Sequence, residues 1–271
     1  LDELGALVKI DYTEDADGVV TVEIEGSVFV ARDRTYEMIV EQNGNNGFHT
    51  PKWKSSKSDV FDLTKEVSSL LNTDIGKLKA LVLTRGDHAA DYSDLSEPAY
   101  TDKGIASSLI MNIQAEFDNL IHGVVTAMNN ILCKEENPTS ATTYATKEDC
   151  PLELFVRLGT PRYVEVGGVW QYVEENTAGS PSDVSTMYTT SNMKINPDLL
   201  KVPTLLSFVN EDRTVDQEKA DKLKEAFTKK FSTLNPYVTK TSNFQDYYGD
   251  LLGQVANVGA VYRSISENQS T

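Results

Sequence analysis

The chain has 271 residues, 39% of them hydrophobic and 24% charged, enough for one large domain or two to three small ones around a real core. With 41 acidic against 25 basic residues the net charge is −16, which argues against nucleic acid or an anionic membrane surface as partner, since both select clustered Lys and Arg. No apolar run approaches the ~20 residues of a membrane span, so no membrane insertion is expected.

The chain opens on Leu1-Asp-Glu-Leu without a Met, which reads as the end of a helix. Leu7–Thr13 and Val19–Glu25 alternate apolar and polar residues on either side of Asp15-Ala-Asp-Gly18, a hairpin signal because Gly accepts positive φ in the turn. Arg34–Val40 reads as a further strand and Gln42–Gly47 as a turn. A short helix is expected near Leu63–Leu71. Gly76–Arg85 fits either a helix or a buried strand. Residues 86–104 form a loop rich in Asp, Ser and Pro, and a long helix follows over about 105–133. After a polar loop, Leu152–Leu158, Arg162–Val166 and Val169–Val173 read as strands, the last two joined by Gly167-Gly168. Met193–Pro197 is a short strand, Asp216–Phe231 a polar amphipathic helix, and a second long helix starts near Ser242 as its N-cap.

Both long helices carry apolar residues alternately three and four apart: Ile110, Ile113, Phe117, Leu120, Val124, Ala127 and Ile131, then Phe244, Tyr248, Leu251, Val255, Val258, Tyr262 and Ile265. Such a/d seams mark helices packed along their lengths, within one bundle or between subunits. The second seam runs into the last residues with neither a Gly cap nor a Pro after it. Both ends of the chain therefore look cut from a larger protein.

Signals for chemistry are sparse. Three histidines, His49, His88 and His122, stand near no nucleophile signature. Asp11, Glu14, Asp15, Asp17 and Gly18 miss calcium-loop spacing, which would place ligands at Thr13 and Ile24. Arg85-Gly86-Asp87 matches an adhesion tripeptide, although Gly86 also stops the preceding segment and Asp87 opens a turn. Cys133 and Cys150 are too few for a disulfide scaffold or zinc site, and either pair across one loop or stand as two free thiols. No phosphate loop or cofactor motif is present, and no cofactor or catalytic residue is expected.

Several segments together resemble the flagellar hook-associated protein 1 family, the hook–filament junction proteins. Leu1–Ile10 with Glu14–Val22 resembles that family's exit from a long helix into its first β segment. Gly76–Asp87 is similar to its Gly-x-Leu-x-x-Leu-x-x-x-Arg-Asp stretch, and Ile110–Leu120 to its next core helix. Lys194–Leu200, Phe244–Tyr248 with Gln254-Val255, and Ser264–Thr271 resemble the segments before and within its final helix. The likeness follows chain order and is weakest at 136–190. The family's N-terminal Asn-x-x-x-x-Gly-Tyr segment and the end of its C-terminal helix have no counterpart here.

The seams and the resemblance together imply an α+β multidomain protein. A discontinuous, coiled-coil-like long-helix bundle core (1–5, 100–135 and 196–271) would carry β-rich inserted domains at 6–99 and 136–195. The resemblance implies a non-enzymatic structural adaptor, secreted through the flagellar export channel to form the ring joining hook to filament. Its partners would be further copies of itself, the hook protein, hook-associated protein 3 and an export chaperone for the C-terminal helix. Without the family's terminal helices the chain should stay monomeric at moderate concentration. A secreted surface adhesin with a helical stalk, using Arg85–Asp87, is the alternative reading; an enzymatic insert at 136–195 is a third.

Overall fold

The computed structural model describes residues 1–42, 47–63, 76–132, 138–175, 184–206, 208 and 214–269, with backbone alone from Val261 onward. The helix expected near Leu63–Leu71 and the thiol Cys133 lie outside the described residues. The chain divides into two compact units, residues 1–90 with 98–114, and residues 91–97 with 115–271.

In the first unit a short helix α1 (Asp2–Gly5) precedes a four-stranded antiparallel meander, β1 (Asp11–Glu14), β2 (Val20–Ile24), β3 (Ser27–Ala31) and β4 (Arg34–Thr35). The β1–β2 turn forms where Asp15–Gly18 predicts it. Asp15 Oδ1 accepts from the Asp17 and Val19 amides, and Gly18 supplies φ +78°. The acidic residues that resembled a calcium loop thus serve as turn chemistry, and no group of three His, Cys, Asp or Glu among the described residues is placed to hold a metal. β5 (Met38–Gln42) and β6 (His49–Trp53) form a separate hairpin. Val8, Ile24, Trp53, Val60 and Phe61 make the apolar core. Inside the unit Lys79 of α2 (Lys77–Arg85) is fully buried, with its ammonium on the Glu25 carboxylate. A further short helix, α3, spans Ala99–Asp102.

The long helix α4 (Leu109–Leu132) contributes its first residues to this unit and the rest to the second. The second unit adds a three-stranded sheet of β7 (Thr143–Tyr144), β9 (Tyr163–Val166) and β10 (Val169–Tyr172), in the order β7-β10-β9. Its hairpin turns through Gly167 and Gly168, both at positive φ. β8 (Phe155–Arg157) pairs with β11 (Met193–Ile195). After α5 (Pro197–Lys201) come α6 (Gln217–Thr228), the short pair β12 (Ser232–Thr233) and β13 (Thr241–Ser242), and α7 (Phe244–Gln269).

The expected long-helix bundle core does not form. The fold is mixed, with several small antiparallel sheets, and among the described residues only α2, α4, α6 and α7 have seven or more residues. The physical reason lies in α4. Its deeply buried stripe runs through Met111, Ala115, Asp118, Val125 and Asn129, one or two positions off the apolar seam. Strands and loops cover that stripe and satisfy its polar groups, where a helix partner would have required an apolar one. Asn129 acts like a piece of strand: its amide Nδ2 donates to the Phe155 carbonyl (2.9 Å) while Oδ1 accepts from the Leu154 and Phe155 amides. Asp118 accepts from the Thr190 amide (2.6 Å) and the Tyr92 amide (3.1 Å).

Candidate functional site

α7 begins at Asn243, whose Oδ1 caps the Asp246 amide (2.8 Å) while its Nδ2 donates to the Asp246 carboxylate. The expected cap, Ser242, instead closes the preceding strand pair and donates to Asp250 Oδ2. The inward face of the helix runs Phe244, Tyr247, Leu251, again spaced three and four. Phe231 lies 4.6 Å from the Phe244 ring and 5.1 Å from the Tyr247 ring, and Phe227 lies 5.6 Å from Phe244. These rings fit against α4 because residue 123 is glycine. A Cβ there would stand 2.7 Å from Phe231 and 2.9 Å from Phe244.

Polar groups complete the anchor. Tyr247 Oη shares its one proton between the Glu116 and Leu234 carbonyls and accepts from Asn119, and its burial pushes the phenol pKa far above the ordinary value. Glu116, fully buried, receives Asn235 Nδ2 (2.7 Å) and Gln254 Nε2 (2.9 Å). The inner half of α7 is therefore held in a single rotation about its axis.

That rotation exposes an unusual outer face. Tyr248, Leu252 and Val255 are 48%, 50% and 39% exposed. Gly249, Gly253, Ala256, Gly259 and Ala260 stand open beside them, and a Cβ on any of the three glycines would meet nothing within 4 Å. No charged residue occurs from Leu251 to Ala260. Solvent-facing helices ordinarily carry charge, and each mid-helix glycine costs about 1 kcal/mol against alanine. A small, uncharged, apolar face of this kind allows another backbone to come close at a helix–helix spacing of about 8 Å.

The sequence-derived seam residues divide between the two faces. Leu120, Phe244 and Leu251 are buried; Ile113, Val124, Ala127, Ile131 and Val258 are partly buried. Ile110, Phe117, Tyr248 and Val255 are exposed. The side chains of Tyr262 and Ile265 lie outside the described residues. The seam thus does not mark one packed stripe: in α7 it straddles an inner and an outer face. Leu252 was missed because it lies one position off the a/d register, and the glycines at 249 and 253 because a/d counting scores only large apolar residues. The absence of charge from 251 to 260 was the available signal.

The second unit also holds a cluster that carries no local sequence signature. His122 stacks on Tyr92 (3.8 Å between centroids), and its Nε2 lies 3.1 Å from Glu175, which accepts from Tyr92 Oη and the Tyr188 amide. Burial would push Glu175 up, but the His122 contact and those two donors bring it below its ordinary value. Burial raises Asp118 despite its two backbone donors. Each member is committed to a neighbour and the cluster ties loops to α4.

In the first unit, Arg85 donates to the carbonyls of His49 and Gly86 and lies over the Phe48 ring, Gly86 is buried, and Asp87 meets His88 at 2.5 Å. The adhesion tripeptide is thus bound up in its own fold. Cys150 is half-buried, with its thiol on the Thr146 carbonyl. In comparisons with known proteins, no family model matches this chain and no curated protein is similar to it.

Proposed function

We propose that this chain is a structural component of the bacterial flagellum, a secreted adaptor whose copies form the ring joining hook to filament. The carrying observation is the outer face of α7, uncharged from Leu251 to Ala260 and built of Leu, Val, Gly and Ala on a helix whose inner face is already committed. A second support is the ordered set of segments resembling the hook–filament junction family, two of which, Phe244–Tyr248 and Gln254-Val255, lie on this helix. The reading stands on those segments and this face alone. In it, a helix of a neighbouring subunit covers residues 248–260, and the hook protein, hook-associated protein 3 and an export chaperone are the further partners.

The test is genetic. Deleting the full-length gene should leave bare hooks and release flagellin to the medium; normal filaments would overturn the proposal. Leu252→Asp with Ala256→Asp in the full-length gene should give the same bare hooks with the protein still secreted at its usual level. Intact filaments in that double variant would remove α7 from the assembly.

A further inference from the structure

Inside the first unit the buried ammonium of Lys79, on α2, rests on Oε1 of Glu25, which sits in the two-residue turn between β2 and β3. We infer that these two side chains become joined in the folded protein by an amide bond between Lys79 Nζ and Glu25 Cδ. The cross-link ties the β meander to α2 across 54 residues of chain and holds the unit against unfolding. The inference is independent of the assembly role proposed above.

Three observations set this pair apart from an ordinary ion pair. Burial is the first. The Lys79 side chain is 0% exposed and that of Glu25 11%, whereas Lys54–Glu37 and Lys240–Asp250 stand in solvent. Taking two opposite charges out of water carries a desolvation penalty that their attraction need not offset. A neutral amide carries no such penalty.

Hydrogen bonding is the second. An ammonium has three donors, and among the described residues Lys79 Nζ meets one acceptor, Glu25 Oε1. The amide keeps a single N–H. Glu25 Oε2 accepts from the Asp62 amide (2.7 Å) and retains that bond as the amide oxygen. The backbone is the third. Glu25 holds φ +46° and is followed by Gly26 at +76°. Positive φ at the first position of a two-residue hairpin ordinarily selects Asn, Asp or Gly. A glutamate kept there against its backbone preference points to a use for its side chain.

The step balances within the pair. One proton crosses the contact from Nζ to Oε1, leaving an amine beside a carboxylic acid. Nζ attacks Cδ, the C–N bond forms, and the Cδ–Oε1 bond breaks. Oε1 departs as water with a second proton from nitrogen, and the third stays on the amide. Nothing is oxidised or reduced. Holding the two groups in contact gives an effective concentration of roughly 10⁵ M or more in well-oriented pairs. Glu25 also lines a cavity of about 470 Å³, which receives the released water.

The test is the intact mass of the full chain, measured in denaturant after overnight incubation of the folded protein at neutral pH. The chain should be lighter than its sequence by one water. Trypsin should release a branched fragment joining Ile10–Arg32 to Leu78–Arg85, uncut at Lys79. Lys79→Arg and Glu25→Ala should each return the mass to the full sequence value. The wild-type fragment identifies the bond whether or not either variant folds. The full sequence mass in the wild type, which a simple buried ion pair would give, overturns the inference. So does a missing water that the fragments place elsewhere, or one that survives Lys79→Arg.

Discussion

The inner face of α4 and the outer face of α7 invert the usual placement of polarity. The buried stripe of α4 carries Asp118 and Asn129, while the exposed stripe of α7 carries Leu252, Val255 and a run of Gly and Ala. The difference lies in what each face meets. That stripe of α4 is covered by a strand and loops, whose backbone amides and carbonyls need partners, so polar side chains serve it better than leucines. Among the described residues α7 meets no strand or loop of its own unit on its outer side, so its lack of charge has no rationale in that unit's own stability. Helix faces are thus written for their neighbour, and where none is present the pattern points to one still to come.

The contrast breaks most sharply at Asn129. Asn129→Leu keeps the branched skeleton but strands two amides and a carbonyl of the Leu154–Phe155 segment, and should destabilise the chain by about 3 kcal/mol in urea unfolding. An unchanged midpoint would mean that the strand does not depend on the helix.

Asp118→Asn comes next. The amide offers one acceptor to two N–H donors, so about 2 kcal/mol should be lost at pH 7. The pH profile separates charge from hydrogen bonding. Burial raises the folded-state pKa of Asp118, so its contribution is fully present below the unfolded value and lost as pH rises through the folded one. Glu153 is raised by burial too and has the same sign. Glu175 is lowered, and its contribution is lost as pH falls through its folded value. The variant should show a shallower loss of stability between acid and neutral pH; a profile parallel to the wild type would mean that folding leaves the Asp118 carboxyl unshifted.

The smallest effect sharpens the other side of the comparison. Gly249→Ala and Gly253→Ala meet nothing within 4 Å and should each stabilise the isolated chain by about 0.5–1 kcal/mol in thermal melts. The same pair in the full-length protein should impair filament assembly. Stabilisation with normal filaments would mean that no backbone approaches closely there.

Local chemistry was readable and packing was not. Asp-Gly at 17–18 and Gly-Gly at 167–168 encode their hairpins within a few residues, because positive φ is a property of the turn itself. The long helices were readable from periodicity. Their faces were not, since Ile110 and Phe117 look like core until the loops and the strand that cover Asp118 and Asn129 are in place. A cleft lined by Lys147, Arg157, Arg162 and Lys194 was hidden for a similar reason: these residues are scattered in sequence and gathered by the β8–β11 pairing and its flanking turns.

Glu116 also dictates an order of events. Its carboxylate finds its partners 119 and 138 residues further along, at Asn235 and Gln254. A chain delivered N-terminus first must keep that carboxylate hydrated until nearly all of it has emerged, because burying it alone is prohibitive and closing so long a loop is slow. The second unit is therefore latched by α7, and the nascent chain stays pliable until that latch arrives.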